Sequence, residues 1–270
     1  MRPAVSIVTI TFNAEKVVEK TIRSVLAQDF TDFEYIFVDG KSSDKTLQII
    51  ESYRAQFEDK GIKFLVLSEP DKGIYDAMNK SIRLAEGEWL LMLNAGDALA
   101  HCGVLGRFFL DKSYEADVVY GETIMSENGF YKKRMTYEPD VINRQLPFCH
   151  QSVFVRTEVL RAYGFDTNYR LAADYDSFVR MYQAGVRFEY VKDWVSVYDM
   201  TGVSEKNAYA TNKEAALIRQ RNGLAAPKSL RSNVAVRNCI NRVYSLRKKM
   251  LRDRYFSKDN GWVRDPNELL

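Results

Sequence analysis

Two acidic segments have residue types and spacing that could do chemistry. Residues 94–97 (NAGD) follow a continuous apolar run of strand length and form a polar loop hinged at Gly96 that ends in Asp97. The second segment carries Asp174 and Asp176 near the start of a predicted helix. The helix dipole favours a carboxylate in a first turn and tends to keep it ionised, as a general base must be. An acidic loop at the carboxyl end of a strand is a candidate ligand site.

Length and composition place few limits on function. The chain has 270 residues, 46% of them hydrophobic, and a net charge of +3, enough for one large domain or a domain with an appendage. Three widely spaced cysteines (Cys102, Cys149 and Cys239) without a CxxC pair predict reduced packing residues. No signal-peptide pattern is seen, and no apolar run approaches the ~20 residues that span a bilayer, which predicts a soluble, cytoplasmic protein.

The first hundred residues alternate between strand and helix patterns. Strands are predicted at 5–12, 34–39, 62–67 and 89–93, with helices between them. Asn13 is the predicted N-cap of the first helix, and Gly87 the predicted C-cap of the third. The buried face of that third helix is predicted to include Ile74 and Met78. This order indicates a parallel, Rossmann-like sheet with right-handed crossovers.

The pattern changes after Asp97. Two strands joined at Asn128-Gly129 are predicted to form a hairpin, followed by a strand at 151–155 and helices at 157–163 and from 170 onward. From 204 the chain is predicted to be helical, and residues 228–254 interleave basic with apolar side chains. Such a segment is typical of a helix on an anionic membrane or of one packed on its own domain, and both remain open.

Three familiar sites lack their residues. The turn after the first strand, TFNAEK, has none of the glycines of a dinucleotide fold. Gly40-Lys41-Ser42 resembles the end of a P-loop, but Tyr35 stands where the first glycine is needed. His101 and His150 are too far apart in sequence to indicate a zinc site.

Six segments match, in order and spacing, the motifs of a known family. They span about residues 4–204 and read VSIVTITFNAEK, YIFVDGKSSDKT, SEPDKGIYDAMNKSI, AEGEWLLMLNAGD, HQSVFVR and AADYDSFVRM. In these segments the chain resembles the family 2 glycosyltransferases of GT-A fold, in particular the bacterial branch that builds exopolysaccharide, colanic-acid-like or O-antigen units. The resemblance implies an α/β fold: a mostly parallel sheet with helices on both faces, a small antiparallel hairpin region and a helical, basic C-terminal tail.

The resemblance also implies a division of labour and a reaction. A glycosyltransferase domain at 1–204 would comprise a nucleotide-sugar-binding half (1–100) and an acceptor-side half (101–204), followed by an extension at 205–270. The enzyme would move a sugar from a nucleotide-diphosphate donor, a UDP-sugar in the first instance, to a hydroxyl of a saccharide or lipid-linked saccharide, with inversion. The tail could contact a membrane, and no nucleic-acid partner is expected.

Motif matching assigns site residues by resemblance. Asp174 matches the family's catalytic acid and would be the general base, with Ala173 in place of a preceding Glu. Asp97 is the one carboxylate left in the family's acidic motif and implies Mg²⁺ or Mn²⁺ held together with donor phosphates, while the depletion leaves metal dependence open. Asp39 could instead be a structural cap. The donor-binding set is Thr11, Phe12, Glu15, Asp39, Asp71, Lys72, Gly73 and Asn94. His150, Gln151 and Asp176 are possible contacts of acceptor or donor sugar. Trp194, Tyr198 and the Gly202-Val203-Ser204 turn are possible borders of the acceptor cleft.

Three other interpretations remain open. A nucleotidyltransferase would need a basic, Gly-rich loop near the N-terminus, and TFNAEK is not one. A non-catalytic nucleotide-sugar-binding or scaffold protein would fit the depleted acidic motif, although Asp97 and Asp174 are both present. A nucleic-acid-binding tail should show steeply salt-dependent binding.

Overall fold

The computed structural model describes residues 2–200, 207–224, 256 and 260–270. The strands are β1 (Val5–Thr11), β2 (Phe33–Asp39), β3 (Lys63–Ser68), β4 (Trp89–Met92), β5 (Ala98–Leu99), β6 (Val118–Glu127), β7 (Phe130–Arg134), β8 (Val153–Arg156) and β9 (Phe188–Asp199). The helices are α1 (Val18–Leu26), α2 (Thr46–Ser52), α3 (Arg54–Glu58), α4 (Ile74–Leu84), α5 (Val104–Phe109), α6 (Thr157–Tyr163), α7 (Ala173–Gln183) and α8 (Ala208–Arg221). Short 3₁₀ helices lie at Pro139–Asn143, His150–Ser152 and Pro266–Glu268.

The strands form one sheet in the order β3-β2-β1-β4-β8-β6-β9-β5, with β7 on β6. Strands β1 to β4 pair in parallel, as the β-α alternation predicts. Beyond them β8 is antiparallel to β4 and β6, whereas β9 runs parallel to β6. The carboxyl ends of β1, β2, β3 and β4 therefore meet at one edge, where ligands bind in open α/β sheets.

Helices cover both faces of the sheet, as predicted. Alternate residues of a strand point to opposite faces, so β1 contributes to two separate cores. Val8 and Ile10 pack with residues of α4, α6 and α7, and Val5 and Ile7 pack with residues of α1, α2, α3 and α5.

The predicted hairpin is confirmed. β6 and β7 are antiparallel, and Asn128 and Gly129 between them have φ of 51° and 77°. A two-residue type I′ turn requires positive φ at both positions, which asparagine and glycine tolerate best. The predicted strand at 151–155 is shorter than expected: residues 150–152 form a 3₁₀ turn, and β8 begins at Val153.

The predicted N-cap at Asn13 is wrong. Helix α1 begins at Val18, and Asn13 instead adopts a φ of 49°. Its side-chain oxygen accepts a hydrogen bond from the Ser43 backbone N–H at 2.9 Å. The asparagine therefore joins the loops after β1 and β2, a use of its amide that local sequence does not distinguish from capping.

The predicted ends and face of the third helix also need correction. α4 ends at Leu84, and Gly87 is not its C-cap. A Cβ on Gly87 would lie 2.4 Å from the Ser6 backbone nitrogen, so this glycine permits a close approach to β1. Ile74 is exposed rather than buried, and Tyr75 is buried.

The C-terminal part is described only in places. α8 confirms that helix resumes after 204, whereas the Gly202-Val203-Ser204 turn and the basic segment 228–254 lie outside the described residues. Among the helices that are described, none combines the length and apolar character needed to cross a membrane.

Candidate active site

Asp39 joins the carboxyl ends of three strands. Its Oδ1 accepts a hydrogen bond from the Thr11 hydroxyl of β1 at 2.9 Å, and its Oδ2 accepts from Ser68 of β3 at 2.8 Å. The Ser42 backbone N–H donates to Oδ2 at 2.9 Å. The carboxylate is fully buried, so it orders this edge of the sheet, and a nucleoside could reach it only by replacing one of these donors.

An exposed aromatic ring and a polar loop lie beside Asp39. Phe12 is 67% exposed, although it follows directly on the buried strand β1. A Cβ on Gly40 would lie 2.3 Å from Asp71 Oδ2 and 3.4 Å from the Phe12 ring, so glycine lets these two groups approach. Asp71 Oδ1 accepts from the Gly73 N–H at 2.8 Å, which fixes the turn before α4. The predicted donor-side residues Phe12, Asp71 and Gly73 thus share one surface.

Glu15 and Lys72, the other predicted donor-side residues, make mainly local contacts. Glu15 accepts a hydrogen bond from the Lys45 backbone N–H at 3.0 Å. Lys72 is exposed, and its own backbone N–H donates to Asp76 at 3.0 Å. The Glu15 carboxylate therefore braces the loop after β2, while the Lys72 ammonium is open to solvent.

A cavity of about 450 Å³ brings several of the remaining predicted residues together. Asn94, His150, Gln151 and Asp174 all line it, although they come from parts of the chain up to 80 residues apart. Tyr198 also lines it, whereas Trp194 does not and instead lies 5.2 Å from the Lys133 ammonium.

The Asp174 carboxylate, at the start of α7, is oriented by a tyrosine of α4. Its Oδ1 accepts a hydrogen bond from the Tyr75 hydroxyl at 3.0 Å. Burial, helped by the Asp174 charge, holds the pKa of Tyr75 well above its usual value, so the phenol stays protonated and remains a donor. One carboxylate oxygen is thereby oriented by α4.

The loop before Asp174 is fixed by a second carboxylate. Glu214 of α8 accepts hydrogen bonds from the backbone N–H groups of Arg170, Leu171 and Ala172 at 3.0, 2.8 and 3.0 Å. These are the amides that precede α7 and have no partner within the helix. α8 therefore sets the position at which α7 starts, and with it the position of Asp174.

Asp176 lies outside this cavity. It is buried, and its carboxylate forms an ion pair with Arg180 at 2.8 Å. The two acids of the predicted helix start therefore point in different directions, and only Asp174 lines the cavity.

His150 presents two ring nitrogens without partners. Both are buried, and neither has a hydrogen-bond partner among the described residues. The ring packs edge-on against Phe165 and Phe178. Burial lowers the pKa of His150 and the Asp174 charge opposes this, which leaves a neutral imidazole at neutral pH. Unpaired buried nitrogens are costly, so a hydroxyl-bearing ligand would be stabilised here.

Asp97 lies behind the cavity wall. It is 4% exposed, and its Oδ1 accepts from the Asp199 backbone N–H at 2.8 Å. Burial raises the pKa of Asp97 to about 7, while hydrogen bonds from Asp199 and Gln151 and the charge of Lys20 oppose the shift. The side chain therefore ties the loop after β4 to the end of β9.

A divalent ion would find few protein ligands here. Within the described part of the chain, no three His, Cys, Asp or Glu side chains are grouped to hold a metal. Asn94 Oδ1 is nevertheless buried without a hydrogen-bond partner three residues before Asp97, and it lines the cavity. Amide and carboxylate oxygens suit Mg²⁺ and Mn²⁺, so the residues fit an ion that is held partly by ligand phosphates.

Several residues of the site were not predicted from the sequence. Tyr75 was placed on no face, and Glu214 had no motif. The cavity also contains three arginines from β7, from the segment after a 3₁₀ helix and from α8, namely Arg134, Arg144 and Arg219. No local pattern marks them, because the fold alone brings these segments together.

Comparison with known proteins decides the family. Residues 6–191 match the model of glycosyl transferase family 2. A PGL/p-HBAD biosynthesis glycosyltransferase of Mycobacterium tuberculosis is 33% identical over 183 residues, which cover 67% of this chain and 70% of that protein. The chain belongs to glycosyl transferase family 2. The family resemblance drawn from the six motifs is thereby confirmed.

Solved structures agree on the fold. S. aureus TarS in complex with UDP-GlcNAc superposes with a TM-score of 0.65 at 21% identity, covering 81% of this chain and 65% of that chain. The mannosyltransferase PcManGT of Pyrobaculum calidifontis, in complex with GDP-Man and Mn²⁺, gives a TM-score of 0.63 at 17% identity, covering 87% and 68%. The predicted GT-A fold is confirmed.

Proposed function

We propose that this family 2 enzyme transfers a sugar from a nucleotide-diphosphate donor, in the first instance a UDP-sugar, to a hydroxyl of a saccharide or lipid-linked saccharide during cell-surface polysaccharide synthesis. The observation that carries the proposal is Asp174, oriented by Tyr75 in a cavity next to Asn94. TarS, a structural neighbour, binds UDP-GlcNAc, and PcManGT binds GDP-Man.

In the proposed reaction Asp174 is the general base. Tyr75 occupies Oδ1, which leaves Oδ2 to accept the proton of the acceptor hydroxyl as its oxygen attacks the anomeric carbon. The bond to the diphosphate oxygen breaks on the opposite side, and the configuration inverts. The neutral His150 ring, whose nitrogens have no hydrogen-bond partner, would orient hydroxyls of the bound sugar.

The donor would extend from the surface around Phe12 to the loop that contains Asn94 and Asp97. Phe12 offers a ring on which the nucleoside base can stack, and the Asp71–Gly73 turn borders it. Asn94 and Asp97 are the residues that would hold Mg²⁺ or Mn²⁺ with the diphosphate. When bound, such an ion offsets the charge that develops on the leaving group.

The test is Asp174→Asn, assayed for sugar transfer and for binding of the UDP-sugar. We expect turnover to fall by about 10²- to 10⁴-fold, the usual contribution of a general base, with donor affinity little changed. Asp176→Asn is the matched comparison, because it makes the same change two residues away on α7, outside the cavity. Equal losses in the two variants, or full turnover of Asp174→Asn, would refute the assignment.

The basic segment 228–254 is proposed to bring the enzyme to an anionic membrane, where a lipid-linked acceptor would be found. The proposal rests on its sequence, in which Arg247, Lys248 and Lys249 lie next to apolar residues. Replacing these three with glutamine should reduce co-sedimentation with phosphatidylglycerol vesicles and leave transfer to a short water-soluble acceptor unchanged. Equal sedimentation of both proteins would contradict this role.

A further inference from the structure

The cavity carries an excess of positive charge. Among the described residues, three arginines line it (Arg134, Arg144 and Arg219) against a single carboxylate, Asp174. Asp174 already accepts a hydrogen bond from Tyr75, and none of the arginines forms an ion pair with a carboxylate of the described residues. The proposed base alone cannot neutralise this charge, so the cavity is suited to an anionic ligand.

Arg219 is the most informative of the three. Only 7% of it is exposed, and its charge has no carboxylate partner within the described ranges. Its Nη1 donates to the Arg144 backbone oxygen at 3.2 Å, and its guanidinium carbon lies 5.9 Å from the centre of the Tyr175 ring. Burying a guanidinium without an anion costs free energy, which a bound oxyanion would offset.

The position of Arg219 indicates which substrate carries the anion. Tyr175, over which Arg219 lies, follows Asp174 directly in α7. In an inverting displacement the base and the acceptor approach the anomeric carbon from the side opposite the leaving diphosphate. Arg144 and Arg219 line the same cavity as Asp174, which the proposed function assigns to the acceptor. Arg134 lies instead near the Cys149 thiol, whose pKa is raised by burial while the Arg134 charge opposes the shift.

We propose that Arg144 and Arg219 bind an anionic group, a phosphate or a carboxylate, of the acceptor. Arginine suits both groups because its planar fork of N–H donors matches their oxygens. This inference rests on the proposed function, since it assumes that the Asp174 side of the cavity receives the acceptor. It narrows the acceptor class to saccharides that carry a charged substituent or a phosphate link near the reacting hydroxyl.

The experiment is calorimetric titration of the full-length protein with sodium diphosphate and, separately, with glucuronate, each without UDP and with saturating UDP. The two probes separate a phosphate from a carboxylate as the source of the anion. We expect at least one of them to bind the UDP complex, and Arg219→Gln and Arg144→Gln to weaken that binding about tenfold or more, as for lost charge-assisted hydrogen bonds.

Arg221→Gln is the matched control. Arg221 lies on the same helix but outside the cavity, where it donates to the Tyr169 hydroxyl at 3.1 Å, so its loss should leave anion binding unchanged. Arg144 is exposed, so its substitution keeps the test valid if Arg219→Gln fails to fold.

Three results would overturn the inference: neither probe binds the wild-type UDP complex, both arginine variants bind like wild type, or UDP displaces the anion. Displacement would place the anion in the donor's diphosphate site. UDP binding, measured first in the same protein, distinguishes the two levels of proposal. If UDP binds and the anions do not, only the acceptor inference fails; if UDP itself does not bind, the UDP donor of the proposed function fails.

Discussion

Replacing Asp97 with asparagine tests whether burial controls the charge of the acidic loop. Burial raises the pKa of Asp97 from 3.8 to about 7, a shift of about 3 pH units. Between these values the native state keeps a proton that the unfolded chain has released. Stability therefore falls as pH rises through this window, and the contribution is constant above it. At about 1.36 kcal/mol per unit, the cost of ionising Asp97 reaches at most about 4 kcal/mol.

Asp97→Asn should remove this pH dependence. Asparagine is neutral throughout and keeps an oxygen to accept the Asp199 N–H. The variant should match wild type near pH 4, and its relative free energy of unfolding should gain up to about 1.4 kcal/mol per pH unit until pH 7. Urea denaturation at pH 4 to 8 with EDTA measures the difference, and Asp111→Asn, at an exposed position, is the control. Parallel stability curves for wild type and Asp97→Asn would refute the burial argument.

The same substitution separates a structural role from a metal site. A metal ligand must be deprotonated, so an ion on Asp97 would compete with its proton. If Asp97 holds the ion, Mn²⁺ should strengthen UDP binding more at pH 8 than at pH 6, and Asp97→Asn should abolish that enhancement. An enhancement that survives in the variant would assign the ion to other groups and leave Asp97 with its bond to β9.

Three further changes address the parts that position the site. Phe12→Ala should weaken UDP binding about 5- to 100-fold if the ring stacks on the base, whereas Leu110→Ala, similarly exposed, should not; equal affinities would exclude stacking. Glu214→Gln should lower turnover about 10- to 100-fold with UDP affinity unchanged, because it loosens the amides before Asp174; unchanged turnover would show that α7 does not need this brace. Gly87→Ala should lower the free energy of unfolding by about 1–3 kcal/mol, since its methyl would meet the Ser6 backbone. Gly103→Ala should cost less, because no atom lies nearer than 3.5 Å to the added methyl. A reversed order of the two variants in chemical denaturation would contradict the clash.

Regular patterns allowed much of the fold to be predicted. Strands β1 to β4 are short apolar runs whose spacing indicates parallel pairing, and Asn128-Gly129 specifies its turn through φ alone. The predictions that are wrong concern residues whose contacts lie far away in the sequence. Asn13 was assigned a cap from its immediate neighbours, but its partner is Ser43, 30 residues away. Gly87 was assigned a cap as well, and its real constraint is the backbone of Ser6.

The residues of the site also fall into those that local sequence marks and those that only the fold brings together. Asp174 could be placed from the sequence because a helix start and a motif coincide there, and Asp39 because it ends a strand. The brace on Asp174 comes from Glu214, 40 residues later, and the buried arginine over Tyr175 comes from the same helix. Neither has a local signal, since each matters only through what the fold places opposite it.

Asp97 shows why a retained motif residue does not by itself identify a ligand. The acidic loop has lost carboxylates at Asn94 and Gly96, and the acid that remains is the one bonded to the Asp199 backbone. That bond joins the loop after β4 to β9, so the Asp97 carboxylate has a structural role as the acceptor of a backbone N–H. Asn94 lines the cavity, and its side-chain oxygen has no hydrogen-bond partner there. Of the two residues, Asn94 is therefore the more accessible to an ion bound in the cavity. Donor chemistry at this loop should therefore depend on Asn94 at least as much as on Asp97.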